Sequence, residues 1–169
     1  MVYVDFDGVV LDSEKLLFEE WRKNPDRFSL PESEKIKYIQ NANWEYILNN
    51  ASIINDSTHY LKNMDLKNSA ILTKIYSLNN EGKAKIKWIR THNIKQSIIL
   101  VPYFSKKCEV VPAKGNILID DCLRNLDEWL DCGGKPIFFD SDNDDYDSWE
   151  KPNTKHYQKV LDLSNYTKK

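Results

Sequence analysis

The sequence predicts an α/β fold with a doubly wound, mainly parallel five-stranded sheet. Five short apolar runs lie along the 169 residues, at 2–5, 70–73, 97–101, 116–119 and 136–139. None alternates between apolar and polar residues, which favours strands buried on both faces. Segments with helical patterns separate most of the runs, and strand–helix alternation is typical of a parallel sheet covered by helices. The length suits one compact domain with a small insertion.

The first run ends in two aspartates and a glycine, Asp5, Asp7 and Gly8. Side chains two residues apart in a strand point to the same face, and glycine lets the backbone turn sharply. We therefore expect two carboxylates at the carboxyl end of a buried strand, which is where open α/β sheets bind ligands. Oxygen ligands gathered in this way suit Mg²⁺ and phosphate.

Residues 12–68 interrupt the alternation and are predicted to form helices. Ser29 and Glu32 have the Ser-x-x-Glu spacing of a capping box, so a helix is expected to start there. Farther along, apolar residues recur at helical spacing, at Trp44, Ile47, Leu48, Ala51 and Ile54. The segment is therefore predicted to be an all-helical insertion after the first strand.

The next three runs also end in residues that could carry chemistry. Thr73 ends the second run, Lys106 and Lys107 follow the third, and Asp120 and Asp121 follow the fourth. Carboxyl ends of parallel strands meet at one edge of a sheet, so these side chains are expected near Asp5 and Asp7.

Two helices are predicted between these strands. Residues 80–91 should turn Ala84, Trp88 and Ile89 inward, and the lysines of 83–87 are interpreted as a solvated face of that helix. Residues 123–131 should form the second helix, ended by Gly133 and the glycine after it.

After the fifth strand, the acidic stretch 140–147 is interpreted as a solvated loop rather than a cation site. Trp149 and the last twenty residues are expected to add a final helix.

The order Asp-x-Asp-Gly, Thr, Lys, Asp-Asp resembles the haloacid dehalogenase (HAD) superfamily of phosphotransferases. The resemblance implies a HAD-like Rossmannoid core at 1–11 and 69–169, with 12–68 as a helical cap that covers the cleft and sets substrate choice. It also implies that Asp5 is the nucleophile, that Asp7 is the general acid and base, and that Thr73 donates to a phosphate oxygen. Lys107 is the preferred lysine to neutralise charge; Lys106 and Lys114 remain the alternatives.

The same resemblance implies a Mg²⁺ site. Its ligands would be the carboxylate of Asp5, the backbone carbonyl of Asp7, and the pair Asp120 and Asp121, with the direct ligand within that pair left open. The expected function is a Mg²⁺-dependent phosphatase that acts on a small phosphorylated metabolite through an aspartyl-phosphate intermediate.

Two branches of that superfamily compete for the substrate. The stretch 116–121 with Asn125 and Trp129 is similar to the 5′(3′)-deoxyribonucleotidase-like branch, as is Thr73 followed by Glu81 and 87–89. This implies a (deoxy)nucleoside monophosphate, whose base could stack on an aromatic residue of the cap. The candidates are Phe18, Trp21, Trp44 and Tyr46, although Trp44 is better explained as a packing residue. The Asp-Ser-Glu sequence at 12–14 instead resembles sugar-phosphate phosphatases and mutases.

Composition narrows the remaining alternatives. The net charge of −2 argues against a nucleic acid polymer as partner, and no run approaches ~20 apolar residues, so no membrane partner is expected. Three cysteines without metal spacing favour a cytoplasmic protein, with Cys122 as a packing residue.

A response-regulator receiver domain would place its acidic pair first, so the motif order rejects it. A non-catalytic phosphate-binding module that keeps the same fold remains a rival. The oligomeric state is not predicted.

Overall fold

Six parallel strands form the sheet in a computed structural model that describes residues 1–140 and 157–168. Their order is β3-β2-β1-β4-β5-β6. The bounds are β1 Val2–Val4, β2 Ser69–Ile75, β3 Ser97–Pro102, β4 Ile117–Asp120, β5 Lys135–Phe139 and β6 Gln158–Val160. Every neighbouring pair is parallel, so the predicted α/β class is confirmed. The sixth strand escaped prediction because it is a three-residue edge strand in which only Val160 is buried.

Eight α-helices accompany the strands within the described residues, and five of them lie between β1 and β2. These five are α1 Ser13–Leu17, α2 Glu19–Lys23, α3 Glu32–Asn41, α4 Trp44–Asn50 and α5 Ser57–Asn63. The others are α6 Lys83–Thr91, α7 Lys107–Val110 and α8 Leu123–Asp131. A π-helical turn, Leu78–Gly82, leads into α6. The division into a core and a cap stays a prediction.

The inserted helices share one apolar cluster with the sheet. Val4 and Phe6 from the first strand and its turn belong to the same buried cluster as Trp44 and Leu48 of α4. Trp44 is 2% exposed, and its indole Nε1 donates a hydrogen bond to the carbonyl of Ile39, 2.9 Å away. A buried indole usually has such a partner, so Trp44 packs α4 against the end of α3 rather than facing the cleft.

The opposite face of the sheet is covered by α8. Trp129 of α8 is fully buried and packs edge-on against Tyr3 of β1, with ring centroids 5.6 Å apart. Gly133 has φ +78°, and a Cβ at Gly134 would lie 2.3 Å from the Trp129 indole nitrogen. The two glycines therefore end α8 as predicted, and the second also makes room for the tryptophan.

Two predictions about helices, one capping motif and one whole helix, were wrong. The capping box at Ser29 and Glu32 does not form, because α3 begins at Glu32 with Pro31 as its N-cap and no side-chain cap. The Ser29 hydroxyl instead donates to the carbonyl of Asp26. Residues 157–168 hold β6 and a 3₁₀ turn, Ser164–Tyr166, in place of the expected final helix. The acidic stretch beyond Asp140 and Trp149 lie outside the described residues.

The cysteines also differ from expectation. Cys108 in α7 and Cys132, directly after α8, form a disulfide with Cα atoms 6.4 Å apart. The odd number of cysteines gave no sign of this pair. Cys122 is exposed rather than packed. Among the helices of residues 1–140 and 157–168, none has both the length and the apolar character needed to cross a membrane.

Candidate active site

A tight turn after β1 brings Asp5 and Asp7 to the carboxyl edge of the sheet. The Asp5 amide still pairs with β4, donating to the carbonyl of Ile119 at 2.9 Å. The chain then turns through Gly8, whose φ is +71°. A Cβ at Gly8 would lie 1.9 Å from the Asp121 Oδ2, so only glycine lets the turn approach that carboxylate.

Asp5, Asp120 and Asp121 form an acidic cluster at this edge. One carboxylate oxygen from each lies within 4.8 Å of the others. Asp5 and Asp120 are buried, and Asp121 is partly buried. Asp5 Oδ1 is buried, with the Lys107 ammonium 2.8 Å away, and no hydrogen bond from any other described residue reaches it. Three carboxylates crowded in this way repel one another, and a divalent cation with oxygen ligands would relieve that repulsion. These residues therefore fit a bound Mg²⁺.

Three protein donors surround the carboxylate of Asp120. Its Oδ2 accepts from the Lys107 ammonium at 2.6 Å, and its Oδ1 accepts from the Cys122 amide at 2.8 Å. The Asn125 amide nitrogen lies 3.2 and 3.1 Å from the two oxygens. Both oxygens are thus already engaged by protein donors, which fixes the carboxylate in one orientation.

The three candidate lysines occupy different surroundings. Lys107 opens α7, is 1% exposed, and places its Nζ 2.8 Å from Asp5 Oδ1 as well as against Asp120. Lys106 and Lys114 are exposed. The structure therefore brings Lys107 together with the aspartates, and no described ion pair joins Lys106 or Lys114 to them.

A second buried lysine was missed at the sequence level. Lys85 of α6 is fully buried, and its Nζ lies 2.5 Å from Asp7 Oδ2 and 2.7 Å from Glu81 Oε1. It also donates to the carbonyl of Lys74 at 3.0 Å. The interpretation of 83–87 as a solvated face was wrong at this position, while Lys83 and Lys87 are exposed as expected.

A signal for Lys85 was present in the helical spacing. Lys85 lies three and four residues before Trp88 and Ile89, on the stripe that faces the sheet, and four residues after Glu81. A lysine on an apolar stripe with an acidic partner one turn away is a candidate buried ion pair.

Hydroxyl groups complete the surroundings of Asp7. Thr73 Oγ1 lies 3.5 Å from Asp7 Oδ2 and 3.3 Å from the Lys85 ammonium. The Ser13 hydroxyl donates to Asp7 Oδ1 at 2.5 Å. Ser13, at the start of α1, thus engages one oxygen of Asp7, and Lys85 engages the other. The two contacts fix the plane of this carboxylate.

Burial shifts the pKa values of several groups in the site. Desolvation raises the pKa of Asp5 to about 6, opposed by Lys107 and reinforced by Asp120 and Asp7. Desolvation also raises the pKa of Glu14 to about 7, with the Asp7 charge adding to the effect. Burial alone would lower the pKa of Lys107 and Lys85, but their carboxylate partners outweigh it and raise both above the usual range. Both lysines therefore stay charged at neutral pH.

The fold is shared with solved hydrolases of the HAD superfamily. A hydrolase from Pseudomonas syringae has a TM-score of 0.62 at 13% identity, with 97% of this chain and 95% of that chain covered. The HAD-hydrolase YfnB from Bacillus subtilis, bound to magnesium, has a TM-score of 0.53 at 14% identity, with 97% and 95% covered. L-2-haloacid dehalogenase from Xanthobacter autotrophicus has a TM-score of 0.51 at 12% identity, with 82% and 76% covered.

These similarities concern the fold. At such low identity they show that the chain has a HAD-like Rossmannoid architecture, and they leave the chemistry to the site itself. No protein-family model and no curated protein matches the chain. The functional argument therefore rests on the side chains at the edge of the sheet.

Proposed function

We propose that this chain is a Mg²⁺-dependent phosphatase that hydrolyses a small phosphomonoester through an aspartyl-phosphate on Asp5. The observation that carries the proposal is the contact of the Lys107 ammonium with Asp5 and Asp120, beside a second carboxylate, Asp7, held by its own lysine. Phosphoryl transfer needs positioned groups and charge neutralisation more than covalent chemistry, and this arrangement supplies both.

In the first step, an Asp5 oxygen attacks phosphorus and the bond from phosphorus to the ester oxygen breaks. Asp7 donates a proton to that leaving oxygen, which departs as the alcohol. In the second step, Asp7 takes a proton from water, the water oxygen attacks the phosphorus of the aspartyl-phosphate, and Asp5 is released. Lys107 holds a fixed positive charge beside Asp5 during both steps, and Thr73 offers its hydroxyl to a phosphate oxygen.

Lys85 is a positioning residue in this proposal. It touches Asp7 rather than the substrate, and together with Ser13 it fixes both oxygens of that carboxylate. A general acid must lie within hydrogen-bond reach of the oxygen it protonates, so a fixed orientation favours the transfer. Glu81 also pairs with the Lys85 ammonium, which anchors that ammonium in place.

Mg²⁺ would be held by Asp5, the pair Asp120 and Asp121, and the backbone carbonyl of Asp7. The protein donors around Asp120 would fix its orientation toward the ion, since ligating carboxylates are commonly hydrogen-bonded themselves. When bound, the ion supplies positive charge for the phosphoryl oxygens. Binding of magnesium by the structurally similar YfnB is consistent with this assignment.

The substrate is proposed to be a small phosphorylated metabolite, with a (deoxy)nucleoside monophosphate preferred over a sugar phosphate. Dehalogenation is the rival reaction on the same fold, since three of the structural neighbours are dehalogenases. The acidic cluster favours the phosphatase, because three crowded carboxylates suit a cation and a phosphate better than an uncharged carbon–halogen bond.

Phosphate release from a panel of phosphomonoesters in the presence of Mg²⁺ tests the proposal, with halide release from 2-haloacids measured in parallel. Asp5→Asn should lower turnover at least ~10³-fold, because the amide is not a nucleophile. Asp26→Asn is the matched control, since Asp26 is exposed on the inserted segment. Halide release without phosphate release would favour the dehalogenase, and neither release would favour the non-catalytic phosphate-binding module.

A further inference from the structure

An aromatic ladder lies at the catalytic edge of the sheet and has no part in the chemistry proposed above. It consists of Tyr76, Tyr103 and Phe104. The Tyr76 and Tyr103 rings stack at 4.7 Å with an angle of 10°, and Phe104 packs edge-on against Tyr103 at 5.3 Å. Phe104 is 76% exposed, and the two tyrosines are partly buried. An aromatic set that ends in so exposed a phenyl ring has a face open to a ligand.

The ladder is close along the chain to two of the proposed catalytic residues, Thr73 and Lys107. Tyr76 comes one residue after β2 and three after Thr73, which is roughly 10 Å along an extended chain. Phe104 comes three residues before Lys107, in the segment between β3 and α7. The Tyr103 amide donates to the carbonyl of Ile75 at 2.9 Å, which joins the two segments at the point where the tyrosine rings stack.

The inserted helices meet the core at the same place. Gln40 of α3 donates from its side-chain amide to the carbonyl of Tyr76 at 3.2 Å. The Asn80 side chain in turn donates to the carbonyls of Gln40 and Ala42, both at 2.9 Å. Burial and the Glu81, Glu14 and Glu32 carboxylates raise the pKa of Tyr76, which agrees with a phenol facing α1 and α3. The ladder thus lies at the junction between the catalytic edge and the insertion.

We propose that the aromatic ladder is a stacking surface for a planar aromatic group, such as a nucleobase, on the alcohol portion of the phosphate ester. This inference rests on the proposed function and narrows its substrate class. Stacking on an exposed ring tolerates any base, because every base offers a flat face.

The ladder is a better surface than the aromatic residues singled out in the insertion. Trp44 is buried in the cluster that joins α4 to the sheet. Trp21 and Tyr46 line a separate groove of about 710 Å³, formed wholly by residues 16–47 of the insertion. None of the catalytic residues lines that groove, whereas the ladder is linked by short segments to Thr73 and Lys107.

A matched pair of substrates tests the proposal: a nucleoside 5′-monophosphate, and 2-deoxyribose 5-phosphate, which lacks the base. In the wild type we expect the nucleotide to have the larger kcat/KM. Phe104→Ala should lower the ratio of the two kcat/KM values about 5- to 100-fold, through KM for the nucleotide, which is the range that base stacking supplies. Phe104→Tyr, which keeps the ring, should restore the ratio. Phe28→Ala removes a phenyl ring that is 57% exposed on the insertion and should leave the ratio unchanged.

Binding separates this proposal from the proposed function. Calorimetric titration of the nucleoside monophosphate into the Asp5→Asn chain, with and without Phe104→Ala, measures stacking without turnover. Weaker nucleotide binding in the Phe104→Ala variant would support the ladder even if no ester were hydrolysed. An unchanged ratio and unchanged binding would overturn it, and so would a loss of discrimination in Tyr46→Ala but not in Phe104→Ala. Failure of the wild type to bind the nucleotide would also overturn it.

Discussion

At the scale of single residues, the site is organised by two buried lysines that each join two acidic groups. Lys107 lies between Asp5 and Asp120, and Lys85 lies between Asp7 and Glu81. Burying any of these charges alone would be costly, and each is tolerated because its partner is within hydrogen-bond distance. The two lysines therefore allow Asp5 and Asp7 to stand side by side at the end of one strand.

Removing the Lys85 charge should destabilise the protein. Lys85→Met keeps a long apolar side chain but leaves Asp7 and Glu81 without their cation, and breaking a buried pair in this way costs about 3–5 kcal/mol. Urea unfolding measures the change. Lys83→Met on the exposed side of the same helix is the control and should shift stability by less than about 0.5 kcal/mol. Equal effects of the two substitutions would contradict a buried ion pair at Lys85.

Glu14 should make stability depend on pH. Its pKa is raised from 4.5 to about 7, mainly by burial. The folded state thus holds the proton more tightly than the unfolded chain, so the stabilisation present below pH 4.5 is lost as pH rises towards 7. Glu14→Gln removes this titration, so its stability relative to the wild type should increase over that range by about 1–3 kcal/mol.

Unfolding of both proteins at pH 5 and pH 8, with a chelator present throughout, provides the measurement for Glu14. Other titrating groups largely cancel because only one residue differs between the two chains. Glu19→Gln, which changes an exposed glutamate of α2, is the matched control and should show no such trend. A constant difference between wild type and Glu14→Gln at the two pH values would mean that Glu14 does not titrate with a raised pKa.

At the scale of elements, the strands were predictable and several boundaries were not. The first five strands match the apolar runs because strands buried on both faces need continuous apolar sequence. By contrast, β6 is short and half exposed, so no such run marks it. The capping box failed because Pro31, with its fixed φ, takes the N-cap position one residue before Glu32. The local capping motif was therefore overridden by the neighbouring proline, whereas the strands that are buried on both faces formed where the apolar runs predicted them.

Trp44 provides the test of how α4 is held in place. Because its ring is buried and its Nε1 donates to the carbonyl of Ile39, Trp44→Ala should leave a cavity and remove a buried hydrogen bond, costing about 3–5 kcal/mol. Thermal unfolding measures the loss, and a two-substrate kinetic comparison runs beside it. Activity should fall for all substrates alike, with their relative kcat/KM unchanged. A stable variant with altered discrimination would instead place Trp44 in contact with the substrate.

At the scale of the whole molecule, topology collects residues that are distant in the chain. β1 lies at the centre of the sheet between β2 and β4, so Asp5, Thr73 and Asp120 arrive at one edge. That much follows from the sequence, because parallel strands align their carboxyl ends. The contacts of Lys85 and Ser13 with Asp7 do not, since they depend on how α6 and α1 pack against the turn after β1. The strand ends in the sequence thus indicated where the candidate site lies. The residues that the sequence analysis missed, Lys85 and Ser13, lie in helices.

The last prediction concerns Mg²⁺ and the stability of the folded chain. If Asp5, Asp120 and Asp121 hold the ion, it binds only the folded state and should stabilise it by about 2.7 kcal/mol at a concentration 100 times the dissociation constant. The melting temperature should therefore rise with Mg²⁺ and return to its starting value with chelator, at constant ionic strength. Asp121→Asn should reduce this rise, because it removes a charged ligand from the cluster. Asp131→Asn, which changes an exposed aspartate at the end of α8, should keep it. A rise of equal size in the Asp121→Asn variant would locate the ion elsewhere, and no rise in the wild type would remove Mg²⁺ from the site.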